Sequence, residues 1–195
     1  MHNLQMTDAG MKIRKARVED SRGIADHLLL AMEDIVYEFI GDKDSKKAKE
    51  FLAYFIERQG NQYSYQNCLV IEDGGQILAA VNIYDGAKLR LLRAPVTQYL
   101  RTHFNAGFNP EDETQAGEYY IDSLGVSPDQ QGKGLGSKIL NHLIDTHVIR
   151  HQRTLGLLVE EDNMNAQKLY FKLGFKPVGM KILVGKNMQH LQLKT

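Results

Sequence analysis

A glycine-rich turn between a strand pattern and a helix pattern constrains this fold more than any other feature of the sequence. Residues 131–136 read QGKGLG and follow an apolar run at residues 118–126. The pattern after them predicts a helix over residues 134–150, a strand over 154–160 and a helix over 163–173. Because two strands joined by a crossover helix pair in parallel, the second half predicts a parallel pair of strands covered by helices.

The first half has a different pattern. Residues 12–16 predict a short strand, and two amphipathic helices follow it. Their apolar faces are formed by Ile24, Leu28, Met32, Ile35, Val36 and Phe39 in the first helix and by Ala48, Phe51, Leu52, Phe55 and Ile56 in the second. The runs at residues 68–72 and 76–84 flank Asp73-Gly74-Gly75 and predict an antiparallel hairpin. Residues 176–193 form a strand-rich tail.

The segment at residues 85–117 is long for a connection inside a compact domain. Its pattern predicts a helix over residues 95–104 and a loop over 105–117, which is rich in Gly, Pro and acidic residues. Long loops often cover binding sites, but many only run over the surface. The sequence favours neither interpretation of this insertion.

Charge and cysteine content narrow the class of protein. Lys plus Arg and Asp plus Glu both number 24, so no net charge attracts the chain to nucleic acid or anionic lipid. The single cysteine, Cys68, excludes an internal disulfide, and no metal-ligand spacing appears. We expect one domain at residues 11–195 after a loose leader at residues 1–10. We also expect a cytoplasmic location, without a membrane span, a metal or a nucleic-acid partner.

The glycines of the turn suit a phosphate group. Backbone amides without neighbouring side chains can approach a ligand closely, and the helix N-terminus adds its partial positive charge. Lys133 adds a cation and Gln131 a side-chain donor. The spacing excludes a nucleotide P-loop, and Ser137 stands where a dinucleotide fingerprint needs glycine. Taken alone, the glycines are equally compatible with a tight turn that binds nothing.

The flanks of the turn carry a family resemblance. Residues 119–128, YYIDSLGVSP, lead into QGKGLG and resemble motif A of the GNAT superfamily of N-acetyltransferases, Gln/Arg-x-x-Gly-x-Gly/Ala. Gln131, Gly134 and Gly136 occupy its three positions. Residues 163–175 are similar to motif B of the same family, Asn-x-x-Ala-x-x-Leu-Tyr-x-x-x-Gly-Phe. The matching residues there are Asn163, Ala166, Leu169, Tyr170, Gly174 and Phe175.

The resemblance implies a mixed, mostly antiparallel α/β sheet of six or seven strands, flanked by helices and splayed between its fourth and fifth strands. It also implies that acetyl-CoA lies in this opening, with pantetheine along the backbone of the fourth strand and pyrophosphate on the glycine turn. The residues it assigns to the cofactor are Leu124, Gly125, Val126, Gln131, Gly132, Lys133, Gly134, Leu135, Gly136, Ser137, Asn163, Ala166 and Tyr170.

Attack of an amine on a thioester requires one proton to leave the ammonium and another to reach the departing thiolate. Tyr170 stands at the family's general-acid position, and a phenol has an ordinary pKa of about 10. Glu118 and Asp122 share one face of an alternating strand. Asp122 is our candidate for the base or for amine binding, although hydrogen bonding to nearby backbone is an equal alternative, and Glu118 is a weaker candidate. Other titratable residues, with less support, are Glu160, Glu161, His103 and His147.

The sequence therefore predicts an N-acetyltransferase that moves an acetyl group from acetyl-CoA to a primary amine by direct attack in a ternary complex. The alternative is a non-catalytic acyl-CoA-binding or sensing module. Acidic residues on the first two helices would suit a cationic amine, although a solvated helix face is the commoner explanation. They are Glu33, Asp34, Glu38, Asp42 and Asp44. Monomer and homodimer are both compatible with the chain.

Overall fold

The computed structural model describes residues 10–195, and these residues form a seven-stranded sheet. The strands, in chain order, are β1 (Lys12–Lys15), β2 (Cys68–Asp73), β3 (Gln76–Asp85), β4 (Glu118–Val126), β5 (Thr154–Glu160), β6 (Lys176–Leu183) and β7 (Lys186–Leu193). Their spatial order is β1-β2-β3-β4-β5-β7-β6, and β4 with β5 is the parallel pair among antiparallel neighbours. The predicted mixed, mostly antiparallel sheet is confirmed. The expected leader lies outside the described residues except for Gly10.

Helices cover both faces of the sheet. They are α1 (Ser21–Ile40), α2 (Ser45–Ile56), α3 (Leu89–His103), α4 (Leu135–Leu143) and α5 (Met164–Lys172). The chain continues from α4 as a π-helix at Ile144–Arg150, so the predicted single helix over residues 134–150 changes its hydrogen-bond pattern part-way. Within the described residues, no helix is long and apolar enough to cross a membrane.

Two apolar cores lie on opposite sides of the sheet because successive strand residues alternate in direction. Val70 of β2 belongs to the core under α1 and α2, whereas its neighbour Ile71 belongs to the core under α4. The apolar face predicted for α1 is buried along its whole length. Each such side chain stabilises the fold by about 1.5–3 kcal/mol.

The insertion contains a longer helix than the sequence predicts. α3 begins at Leu89 rather than at Pro95, which lies inside the helix. Three side chains of α3 itself, Leu89, Val96 and Leu100, are buried in the apolar cores. Their burial offsets the loss of the backbone hydrogen bond that proline removes. The chain then runs as a loop over residues 104–117 before β4.

The sheet opens between β4 and β5. Their parallel pairing runs from Glu118 with Thr154 to Ile121 with Leu157, and residues 122–126 and 158–160 continue beyond it without pairing to each other. On the other side of β4, Asn82 pairs with Ser123 and Ile83 with Ile121. Asp122 is therefore the extra residue of a β-bulge, a feature that bends a strand and redirects its side chains.

Candidate active site

The opening between β4 and β5 leads into a cavity of about 260 Å³. Asp122 of β4 and Tyr170 of α5 both line it, together with residues of the kinked part of α1 around Met32. Glu113, from the loop after α3, also reaches this cavity. The structure thus brings the two main catalytic candidates to one cavity, although they are far apart in the sequence.

Tyr170 presents a protonated phenol to this cavity. Burial raises its pKa to about 12, and its ring packs edge-on against Phe175, with the ring centroids 5.8 Å apart. The phenol therefore keeps its proton at neutral pH and can donate a hydrogen bond to a substrate atom in the cavity.

Asp122 is held by two side-chain hydrogen-bond partners. Its Oδ2 accepts a hydrogen bond from Gln62 Nε2 at 2.8 Å, and Tyr84 Oη lies 2.9 Å from the same oxygen. Burial raises the pKa of Asp122 to about 7, and the charge of Glu113 acts in the same direction. A carboxyl with this pKa can exchange a proton at neutral pH, as a general base must.

Glu113 is a site residue that the sequence reasoning missed. Its Oε1 accepts hydrogen bonds from Gln62 Nε2 at 2.6 Å and from Tyr84 Oη at 3.0 Å, and Arg93 of α3 lies 2.8 Å away. The length of the insertion was the available signal, but nothing in the sequence pattern singled out this glutamate. We call Gln62, Tyr84, Arg93, Glu113 and Asp122 the Asp122 cluster.

Glu118, the weaker candidate for the base or for amine binding, does not line the cavity. Its carboxylate accepts hydrogen bonds from Thr114 at 2.6 Å and Gln192 at 2.7 Å, and His190 Nε2 lies 2.9 Å away. Burial would raise the pKa of Glu118, but these three partners outweigh it and hold the pKa below its ordinary value. A Cβ at residue 156 would overlap this carboxylate, so Gly156 makes room for it. Glu118 thus connects β4 to β7.

The remaining titratable candidates lie in different places. His103 stacks on Tyr99 at the surface and His147 packs against Tyr119, with centroid separations of 4.2 and 4.6 Å. Neither histidine lines the cavity. Glu160 does line it, but its carboxylate pairs with Lys186 at 2.8 Å.

The glycine turn has the backbone shape that the sequence predicts. Gly132 and Gly134 have φ values of 75° and 83°, which favour glycine, and α4 begins directly afterwards at Leu135. Residues 131–134 of the turn are exposed to solvent, whereas Leu135 is buried. Gln131 donates from its side chain to the carbonyl of Val126 at 3.2 Å, so it fastens the turn to the end of β4. Lys133 hydrogen-bonds to Gln130 Oε1 at 3.2 Å.

The expected pantetheine strand has an edge available for hydrogen bonding. Leu124 and Val126 pair with β3 on one side, while their β5 side lies along the opening. A Cβ at Gly125 would overlap the carbonyl oxygen of His27, so this glycine allows α1 to cross close to β4. At the opposite wall, Asn163 caps α5 by accepting from the Ala166 amide at 3.1 Å, and both residues line the cavity.

Comparison with known proteins identifies the family. The model of the acetyltransferase (GNAT) family matches residues 29–175. This chain belongs to that family. The N-alpha-acetyltransferase RimI of Mycobacterium tuberculosis is 34% identical over 76 residues, which is 39% of this chain and 46% of RimI. The match thus spans less than half of this curated relative.

Two solved structures show how widely the GNAT fold is shared. An N-acetyltransferase from Staphylococcus aureus Mu50 superposes with a TM-score of 0.79 and 23% identity, covering 93% of this chain and 100% of that one. The yncA acetyltransferase of Salmonella typhimurium, solved with its cofactor acetyl-CoA, has a TM-score of 0.55 and 20% identity over 95% of this chain and 94% of that one. At these identities the two likenesses establish the fold.

No group of three or more His, Cys, Asp or Glu side chains is arranged to hold a metal ion within residues 10–195. The polar groups that line the cavity include the carboxyls of Asp122 and Glu113 and the phenol of Tyr170, which are groups suited to proton transfer.

Proposed function

We propose that this GNAT protein is an acetyl-CoA-dependent N-acetyltransferase that acetylates a primary amine by direct attack in a ternary complex. The observation that carries the proposal is that Asp122 and Tyr170 line the same cavity at the opening between β4 and β5. One wall thus supplies a carboxyl whose pKa is about 7, and the other supplies a phenol that stays protonated.

The opening and the turn suit the two ends of acetyl-CoA. The unpaired edge of β4 at residues 122–126 offers backbone groups to the amides of pantetheine. The turn at residues 131–136 offers its amides to the pyrophosphate, together with the amide of Ser137 and the N-terminus of α4. Both features point the thioester end of the co-substrate toward the cavity that holds Tyr170.

In the proposed reaction Asp122 accepts a proton from the bound ammonium, which frees the lone pair of the amine nitrogen. That nitrogen attacks the thioester carbonyl, so a C–N bond forms and the C–S bond breaks. Tyr170 hydrogen-bonds to the departing sulfur and gives it a proton, and the second proton lost by the attacking nitrogen restores the phenol. The products are an acetamide and a free thiol, and Asp122 releases its proton to solvent.

We propose a cationic acceptor because of the carboxyl groups that line the cavity, and not because of the acidic residues on the first two helices. Of the acidic residues in α1 and just before α2, Asp34 pairs with Lys186 at 3.2 Å and Asp42 with Lys47 at 2.6 Å, while Asp44 caps α2. Those carboxylates are already engaged. Asp122 and Glu113, which face the cavity, are better placed to attract an ammonium group.

The decisive test is thiol release from acetyl-CoA across a panel of primary amines and peptide N-termini. Tyr170→Phe is expected to lower kcat by about 10- to 100-fold with the best amine, and Tyr119→Phe is the matched control. Tyr119 lies outside the cavity and its hydroxyl accepts from Arg153 at 2.9 Å. Full turnover by Tyr170→Phe would disprove the general-acid role. Calorimetric binding of acetyl-CoA without turnover of any acceptor would favour the non-catalytic alternative.

A further inference from the structure

Two carboxylate oxygens in the Asp122 cluster share the same two donors. Tyr84 Oη lies 2.9 Å from Asp122 Oδ2 and 3.0 Å from Glu113 Oε1. Gln62 Nε2 lies 2.8 and 2.6 Å from the same two oxygens. The hydroxyl of Tyr84 and the amide of Gln62 therefore connect the two carboxyl groups directly, without solvent between them.

The number of hydrogens available fixes the protonation of this group. The amide of Gln62 has two N–H groups, so it can donate to both carboxylates at once. The hydroxyl of Tyr84 has a single hydrogen, and burial raises its pKa well above the ordinary value, so that hydrogen stays in place. Tyr84 can donate to one carboxyl only. Its second close contact is a hydrogen bond only if the other carboxyl is protonated and donates to Tyr84 Oη.

The surrounding charges decide which carboxyl holds this extra proton. Arg93 of α3 lies 2.8 Å from Glu113 Oε1 and is itself buried, so it favours the charged form of Glu113. The neighbouring phenols of Tyr63 and Tyr120 are buried, and the negative charges of the two acids raise their pKa further, so both phenols stay neutral. Below its pKa of about 7, the proton therefore belongs on Asp122, and above that pH Asp122 loses it and can act as the base.

We propose that Glu113 is a positioning residue for Asp122: clamped by Arg93, it lets the chain Asp122–Tyr84–Glu113 hold one shared proton beside the acceptor amine. The proposal rests on the proposed function, because it explains how a buried carboxyl is made basic enough to deprotonate an ammonium group. A lone aspartate with its ordinary pKa is a weaker base. Both Glu113 and its ion-pair partner Arg93 belong to the insertion at residues 85–117, so this segment contributes to catalysis in the proposal.

The test is the titration of the Asp122 carboxyl carbon by NMR in protein labelled with ¹³C at aspartate, with Asp122→Asn identifying the resonance. Glu113→Gln removes a neighbouring negative charge, so the midpoint for Asp122 should fall by roughly one unit. Tyr84→Phe removes the hydroxyl to which protonated Asp122 donates, so the protonated form loses a hydrogen bond and the midpoint should also fall. Glu111→Gln is the matched control, because this glutamate is exposed in the same loop and its side chain accepts from the Val184 amide at 3.3 Å. Its hydrogen bond to Arg93 is made by the backbone carbonyl, which the substitution keeps.

Downward shifts in both Glu113→Gln and Tyr84→Phe, with none in Glu111→Gln, would support the shared proton. A rise in Tyr84→Phe would overturn it, because Tyr84 would then donate to ionised Asp122. A residue with a merely structural role would lower stability without moving the midpoint. An unchanged midpoint in Glu113→Gln, or in Tyr84→Phe, overturns the proposal, and Tyr84→Phe decides alone if the other variant does not fold. In active protein the acid limb of kcat/KM should follow the same shifts. Since the titration needs no acceptor, its failure is distinct from a failure to find acetyl transfer.

Discussion

The glycine turn and the Asp122 cluster lie along the same opening, but the chain builds them in different ways. The turn is six consecutive residues, 131–136, whose form depends on the φ values of Gly132 and Gly134. The five residues of the Asp122 cluster are spread over 61 positions, from Gln62 to Asp122, and contact one another only through the fold. The turn has a local cause, whereas the cluster is the product of tertiary packing.

This difference implies that the two regions should fail in different ways. A change in the turn alters a backbone shape, and its effect should be on the affinity for acetyl-CoA. A change in the Asp122 cluster alters a proton equilibrium, and its effect should be on turnover and on its pH dependence. Substitutions in each region can therefore separate binding from chemistry.

The largest effect is expected for Asp122→Asn. The amide cannot accept the ammonium proton, so kcat/KM should fall by about 100- to 10,000-fold. In the wild type the activity should rise with pH as Asp122 ionises near its pKa of about 7, and this acid limb should be absent in the variant.

Asp145→Asn is the control for Asp122→Asn. Asp145 forms an exposed ion pair with Arg150 at 2.6 Å, and such pairs contribute little. Steady-state rates from pH 5.5 to 9 on the best amine are the measurement. Retention of activity by Asp122→Asn, or an equal loss in both variants, would contradict the assignment of the base.

A smaller effect is expected for Gly134→Ala in the turn. Residue 134 has φ of 83° and open space around its Cβ position, so the cost is backbone strain of about 1–2 kcal/mol rather than a clash. If the strain is relieved by a change in the turn, acetyl-CoA affinity should fall by roughly tenfold. Calorimetric titration with acetyl-CoA measures this affinity.

Gly136→Ala is the matched control for the turn. A Cβ there would lie 3.7 Å from Leu169, at ordinary contact distance, and the φ value at residue 136 is not positive. Its affinity should stay close to that of the wild type. Equal losses at both glycines would mean that bulk, and not backbone conformation, limits the turn. A larger loss of turnover in Gly134→Ala than in Asp122→Asn would reverse the comparison of the two regions.

The smallest effect is expected for Asn163→Ala at the start of α5. The variant loses the cap on the Ala166 amide, and the free energy of unfolding should fall by about 1 kcal/mol. Chemical denaturation compares it with Asn141→Ala on the exposed face of α4. If the two variants were equally stable, Asn163 would not act through its cap.

Local patterns predicted the parts of the site that depend on neighbours in sequence. Burial along α1, the turn before α4 and the position of Tyr170 on α5 follow from side-chain periodicity and from the two motifs. Strand alternation placed Glu118 and Asp122 on the same face of β4 and so predicted similar surroundings for both. The structure separates them, because Glu118 lies where β4 still pairs with β5 and Asp122 lies on the bulge where the pairing has ended.

By itself the sequence determined the family, the order of most strands and helices, and the shape of the turn, because each depends on residues a few positions apart. Only the tertiary structure brought Glu113 and Arg93 to Asp122. Ion pairs and shared hydrogen bonds depend on distances in space, and the chain folds 50 or more residues between Gln62 and Glu113 before they meet at 2.6 Å. Burial of that meeting point raises the pKa of Asp122 into the neutral range, which no local pattern records.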